Sequence, residues 1–531
     1  MAGSISVTGL STGLDTSSIV SKMIELKRRP IDVISAKKDF FDLKLSEFQE
    51  LNTKLLSFQG VVQNLSTSDK FTTKNGSFSN NNSTDNNNVV SLTASSTAAS
   101  SSYTLVVDSL AKADKEVSDG FAATTSAVST GTFKITVGST TTSITIDSSS
   151  NTLEGLKTAI NSSGADVTAS ILNDGSSTNP YRLVITSKNT GTDNAVSTSG
   201  LNLLFSETQT ASNASFTLDG ISITKSSNTI TDVIDGVTVD LDSVGSGTIT
   251  IESDVANVKS NIQTFVSEYN KLVAFINEQM FIDSATGQTG VLFANPTVID
   301  LQSTMRDIVA DEVSGLTGTF TTLAQVGITT NSVSGNLEID DADLTDAITE
   351  DIDAVSNLFI ASGSSDTTGL SFVGFTEDTE GGTYDIRVSD GTVQIADSGS
   401  SDFVDATGSD NYYTGPSGEN SEGLRFRIDS LSDGDKGSIT FSLGVAANFD
   451  RILDNLTDQS KEGPLRSELD TLTDNIEEIE DSIEDQENRL ILEEDSLTRE
   501  FAALEALVSK LQTQGDFLSQ ISSGLVASAK Q

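Results

Sequence analysis

ISAKKDFFDLKLSEFQELNTKLLSFQGVVQNL, residues 34–65, carries the pattern from which the architecture follows. Ile34, Phe41, Leu45, Phe48, Leu55 and Val62 are separated by steps of three, four or seven, with Leu51, Phe58 and Leu65 on the adjoining edge. That period lays one apolar stripe along a helix and gives it coiled-coil character. Upstream, Ile19, Met23 and Leu26 make a shorter stripe behind possible caps at Asp15, Thr16 and Ser17. Pro30 is expected to break or bend the helix between the two runs.

The other end of the chain mirrors this one. Leu472, Ile476, Ile479, Ile483 and Leu490 fall at heptad spacing, with Gln486 in one core slot. Leu497, Phe501, Leu504, Val508 and Leu511 resume the pattern after a stutter near Glu494. Residues 465–511 hold 15 acids and 4 bases, whereas residues 22–44 hold 7 bases and 4 acids. Opposite charges flanking two apolar seams predict that the ends pair with each other. The terminal stripes lie beyond the reach of a globular head, and such ends are expected to stay disordered until they fold against a partner.

Between the ends the chain turns to strand-forming sequence. Residues 71–102, with KNGSFSNNNSTDNNN, read as a linker or loose loop. Phe133, Ile135 and Val137, then Ile144 and Ile146, then Val237, Val239 and Leu241 alternate with polar neighbours. Turn dipeptides at Asp174-Gly175, Asp219-Gly220 and Asp235-Gly236 separate such runs, which predicts half-buried antiparallel sheets. Leu153, Leu156 and Ile160 predict one short helix capped by Asn151 or Thr152. Helix returns at Val255 and again after Asn295-Pro296, and DADLTDAITEDIDAVSNLF reads as one acidic helix. A second β-like block at about 361–443 reads as a separate inserted domain. The expected fold class is α+β and multidomain: terminal helices form a coiled-coil or helical-bundle stem, with antiparallel β-rich heads inserted between them.

Composition narrows the function. The 531 residues predict roughly three or four domains. A net charge of −45 repels phosphate backbones, so neither nucleic acid nor an anionic membrane surface is an expected partner. No apolar run approaches the ~18 residues of a membrane helix, so no membrane insertion is expected. The first residues, MAGSISVTGLSTGLDTSSIV, do not read as a Sec-type signal peptide. The chain has no histidine and no cysteine, which removes the common triads and His- or Cys-based zinc sites. A glycosidase would need two placed carboxylates and usually aromatic platforms, but there is no Trp and only six Tyr. Acids at Asp340, Asp341, Asp343 and Asp346, and at Asp433 and Asp435, do not match a calcium loop. They read as a solvated helix start and a hairpin turn. No enzyme activity, catalytic residue, metal or cofactor is expected.

The segment STGLDTSSIVSKMIELKRRPIDVI, residues 11–34, resembles the start of flagellar filament cap proteins, the hook-associated protein 2 or FliD family. Gly13, Leu14, Asp15, Ile19, Val20, Arg29, Pro30 and Ile31 fit its opening pattern. The stretch from TFKITVGSTTT to YRLVITSKNTG resembles a repeat inserted in flagellin-related proteins. DVANVKSNIQTFVSEYNKLVAFINEQ, TLAQVGITTNSVSGNLEIDDADL and EFAALEALVSKLQTQGDFLSQI resemble later core segments in the family's order. The block at 361–443 departs from many relatives.

The resemblance implies flexible helical legs at 1–45 and 490–531, and a helical stem from 46–75, 255–360 and 444–489. It implies a β-rich head from 76–130 and 205–254, a repeat-like head at 131–204, and the additional insertion at 361–443. It further implies a homo-oligomeric ring of about five or six subunits at the extracellular tip of the flagellum, exported by the flagellar type III route without a cleavable signal. Implied partners are flagellin, the hook–filament junction proteins and a cytoplasmic export chaperone. Leu10, Leu14, Ile19, Met23, Leu26, Phe501, Leu504, Val508 and Leu511 are the candidate partner-binding leg residues. Phe41, Leu45, Phe48, Leu55, Leu472, Ile476, Ile479, Ile483 and Leu490 are the candidate stem coiled coil. The implied role is to cap the filament and promote folding and insertion of exported flagellin, with a contribution to adhesion. The competing readings are a secreted adhesin, which would not need matched helices at both ends, and another axial protein, flagellin or a hook–filament junction protein.

Overall fold

The computed structural model describes residues 15–81, 88–458 and 463–528. Leu10 and Leu14 lie outside the described residues. Eight α-helices occur among the described residues: α1 Thr16–Leu65, α2 Leu153–Ser162, α3 Val255–Gln279, α4 Pro296–Ala310, α5 Asp341–Glu350, α6 Ile352–Asn357, α7 Val445–Thr457 and α8 Pro464–Ser528. Residues up to Ser66, together with those from Asn261 onward, form one compact unit, and Thr67–Ser260 form another.

In the first unit α1 is a single helix whose Asp15 cap accepts from the amide of Ser18 at 3.0 Å. The helix runs unbroken through Pro30, contrary to the break expected from sequence. Pro30 sits at an exposed position, and α8 packs along the same helix on both sides of it. Tertiary pairing thus outweighs the local cost of one lost backbone bond. The terminal stretches expected to be disordered are likewise helical from Thr16 and as far as Ser528.

The stem core forms where α1 meets α3 and α7. Phe48, Leu51, Leu55, Phe58, Val62 and Leu65 of α1 are buried, as the spacing predicts. Phe58 lies 5.5 Å from Phe265, 6.1 Å from Tyr269 and 5.1 Å from Phe449, ring centre to ring centre. Phe265 in turn meets Phe359 edge-on at 5.9 Å. Such edge-to-face and tilted packing adds to the area these rings bury. Tyr269 is the one member with a polar atom to satisfy, and its buried hydroxyl has no hydrogen-bond partner. Burial pushes its pKa up to about 12, opposed by the charge of Arg306. Tyr269→Phe is therefore expected to be neutral or to stabilise the protein by about 1 kcal/mol, because an unmet buried hydroxyl costs desolvation without return. Denaturant unfolding of the two proteins checks this.

The acidic stretch read as one helix is two, α5 and α6. Asp351 interrupts it, because its carboxylate accepts from the amide of Ala354 at 2.9 Å and starts a new helix. Asp340 caps α5 in the same way, accepting from Ala342 and Asp343.

The block at 361–443 has its own core, including Tyr384, Ile386, Ile395, Phe426, Ile439 and Phe441. Ala361–Ser365, Gly434–Leu443, Gly382–Ser389, Thr392–Asp397 and Val404–Asp405 form one sheet. Leu370–Gly374, Arg425–Ile428, Tyr412–Thr414 and Thr407–Ser409 form the other. It has contacts with the stem as well. Arg451 of α7 donates to the carbonyls of Glu377 and Thr379 at 3.2 and 3.3 Å and pairs with Glu380 at 3.4 Å.

The second unit contains two β structures. In the first, strands are ordered Lys74–Asn80, Gly245–Ser253, Ser101–Ser109, Ala214–Leu218, Ile221–Lys225. This sheet shares a core with a smaller one of Thr229–Ile234, Val237–Leu241 and Val90–Ala94. Residues 71–102 are thus not simply a loose loop. Lys74–Asn80 is bonded along its length to Gly245–Ser253, and the ladder supplies what its Asn and Ser side chains lack in strand propensity. Asp219 and Gly220, both at positive φ, make the tight hairpin between Ala214–Leu218 and Ile221–Lys225.

In the second β structure, Phe205–Gln209, Ala113–Ser118, Tyr181–Thr190 and Val167–Asn173 lie side by side. Thr140–Ile146, Gly131–Val137 and Val196–Ser199 form its other sheet, and α2 joins the core. Thr152 is the cap of α2, accepting from Gly155 at 3.0 Å. Residues 113–118 and 205–209, placed in the first head by the sequence reading, hydrogen-bond into this second one. Phe121, Val128 and Phe205 pack on its core, which no local pattern announces.

Candidate functional site: the paired terminal helices

No group of three or more acidic side chains among the described residues could hold a metal ion, and the candidate site is a surface. It is built where α1 and α8 run antiparallel. Thr16 meets Glu505 at 3.4 Å, Lys27 pairs with Glu493 and Arg28 with Glu487. Lys38 pairs with Glu480 at 3.0 Å and Lys44 with Glu468 at 3.1 Å. Partners descend along α8 as they ascend along α1, so the opposed charges noted in the sequence set the register. Asp42 first, and Glu480 second, hold the Lys38 ammonium above the ordinary lysine range. The pairs of Lys27 and Arg28 are solvent-facing and fix orientation more than they add stability, whereas Lys44 and Glu468 are half-buried.

Between the charges lies the apolar seam. Leu472, Ile476 and Ile479 are buried, and Phe41, Leu45, Ile483 and Leu490 are half-buried. Toward the termini the packing thins. Val20 and Ile31 carry the buried contacts of α1 there, although the sequence reading did not single them out as site residues. At the level of Pro30 and Gln486 a groove of 650 Å³ runs between the helices, lined also by Lys27, Ile31, Arg489 and Leu490.

The candidate leg residues are divided by this geometry. Phe501 and Val508 are half-buried. Ile19, Met23, Leu26, Leu504 and Leu511 are exposed, Leu26 by 58% and Leu511 by 56%. They do not stand alone. Val33, Phe40 and Leu43 extend the exposed stripe on α1, and Leu507, Phe517, Leu518 and Ile521 extend it on α8. The signal for these was present in the sequence, since Leu26, Val33 and Phe40 are seven apart, as are Leu504, Leu511 and Leu518. A set of large apolar side chains left outside on two helices makes this a candidate interaction surface.

A stem of paired terminal helices with β heads inserted between them, carrying apolar legs, defines an assembly part: a multidomain structural protein. Models described as flagellar hook-associated protein 2 N-terminus and C-terminus match residues 12–114 and 211–513, and one described as flagellin hook IN motif matches 132–189. The chain belongs to the flagellar hook-associated protein 2 family, the filament cap proteins. It is 32% identical over 393 residues to flagellar hook-associated protein 2 of Escherichia coli K12, covering 68% of this chain and 81% of that protein. It is 30% identical over 395 residues to B-type flagellar hook-associated protein 2 of Pseudomonas aeruginosa, covering 66% and 81%. A crystal structure of the flagellar cap protein D1-D2-D3 domains from Escherichia coli is similar at 30% identity, over 59% of this chain and 89% of that one, with a TM-score of 0.47.

Proposed function

We propose that this chain caps the distal tip of the flagellar filament, outside the cell, and promotes the folding and insertion of exported flagellin. The observation that carries the reading is the antiparallel α1–α8 stem with its exposed apolar legs, in a chain matched at both ends to the cap family. In this reading the action is steric and not catalytic. The β heads join side by side in a closed ring, and the legs engage the flagellin or hook–filament junction proteins beneath it. The chain leaves through the flagellar type III route, with its C-terminal helix held by a cytoplasmic chaperone until export. Legs of this kind must bind and release, which suits helices whose own stability is marginal.

A deletion strain tests the proposal. Loss of swimming, with unpolymerised flagellin accumulating in the medium and both restored by the intact gene, is the expected result. Full-length filaments in the deletion strain would overturn it.

A further inference from the structure

The second unit contains a group that the capping role does not use. Asp114 is 2% exposed, and its Oδ1 has no hydrogen-bond partner. A backbone irregularity between Ala113 and Lys115 leaves it opposite the stretch between Thr186 and Thr190, where the hydroxyl of Ser187 is also buried without a partner. Two residues on, Glu116 stands directly across from Glu207 on the neighbouring strand. Residues opposite one another in an antiparallel pair point to the same side, and like charges there repel. That ladder also slips, between Glu207 and Gln209.

Among the described residues no cation answers this charge. Lys115 alternates to the other side of its strand, Lys188 donates to the carbonyl of Ala165 at 3.2 Å, and Arg182 is held by Asp174 at 2.6 Å. Ile185 is the residue opposite Glu116 on the remaining strand. Asp114, Glu116 and Glu207 have no ion pair among the described residues.

We propose that Asp114 and Glu116, facing the charge of Glu207, form a proton-binding site that fastens the edge strand Phe205–Gln209 to Ala113–Ser118 when occupied and loosens it when empty. The ligand is a proton, whose uptake by Glu116 or Asp114 relieves repulsion from the Glu207 charge across the ladder. The consequence is structural, because these two strands are the chain's outward and return paths between the two β structures of this unit. Beyond the ladder, Phe205 rests on Phe133 at 5.9 Å and the side chains of Thr208 and Gln209 donate to the carbonyls of Lys115 and Ala113 at 3.2 and 2.6 Å, while Ser206 and Glu207 are exposed. Burial first, and neighbouring carboxylates second, raise the affinity of Glu116 for a proton; Asp114 is raised in the same direction, chiefly by burial, against the backbone amides of Val196, Ala211 and Lys115 that donate to its carboxylate. The sign follows from linkage. A carboxyl whose folded pKa is raised contributes stability that is present below its unfolded value and is lost as pH rises through the folded value.

The test is hydrogen exchange on the full-length protein, normalised to intrinsic rates at each pH. Protection of residues 205–209 should rise severalfold from pH 7.5 to pH 5. Asp114→Asn and Glu207→Gln should each raise protection at pH 7.5 and flatten the dependence. Glu207 is exposed, so that variant reads out the site even if Asp114→Asn folds poorly. The same pH dependence in the wild type and in Glu207→Gln would overturn the proposal. So would protection gained at constant pH on adding calcium or magnesium, which would assign the site to a metal ion.

Discussion

Phe58→Ala is expected to lose about 3–5 kcal/mol of stem stability, the range for deleting a large aromatic side chain from a packed core. The cost is placed at the upper end because Phe58 meets three rings at once. Phe265, Tyr269 and Phe449 each lie within 6.1 Å of it, and Phe449 lies 6.0 Å from each of the other two. Those rings come from α3 and α7, so the hole opens where three helices join and cannot collapse without moving a helix. The head unit shares none of this cluster. Denaturant unfolding should therefore separate into an early stem transition and an unchanged transition for residues 67–260. A single transition moved as a whole would mean the two units unfold together. A cost of less than about 1 kcal/mol would mean the cluster is not the keystone of the stem.

How far the sequence disclosed this is clear from the same helix. Phe48, Leu55, Phe58 and Val62 were legible because burial in a long helix writes its own period. The pairing of α1 with α8 was legible because two seams with opposite flanking charges are complementary whatever lies between them. Pro30 misled because its cost is local, whereas the helix is held from outside by α8. Lys74–Asn80 misled because a strand of Asn, Ser and Gly draws its order from its neighbour. The strand pair Ala113–Ser118 and Phe205–Gln209 was hidden for another reason: its members are roughly 90 residues apart in sequence, and no local pattern joins them. Asp351 shows the reverse case, a single side chain that ends one helix and begins the next, its cap signal hidden in an unbroken acidic run. At the candidate site, Leu26 and Leu504 stood out as apolar positions, but which of them face out depends on the register of the ion pairs. The spacing of one helix does not contain that register.

The largest functional effect is expected from the legs. Leu26→Asp and Leu511→Asp place a charge at the centre of the two exposed stripes. Both sites are open to solvent in the single chain, so unfolding midpoints should shift by no more than about 0.5 kcal/mol in equivalent stability. When a partner covers them, the same carboxylates must be desolvated without a mate. Replacing a central apolar anchor in this way costs on the order of 2–4 kcal/mol, a weakening of roughly thirty-fold to nearly a thousand-fold. Swimming should fall to the level of the deletion strain, while secretion of the variant cap and of flagellin continues. Val333→Asp supplies the control, since Val333 is 91% exposed but belongs to neither stripe; it should swim normally. If the leg variants swim as well as this control while their circular dichroism is unchanged, the exposed stripes are not the surface by which the cap holds the filament. If instead the purified leg variants lose helix, these residues support the stem in the single chain, and their exposure does not mark a binding face.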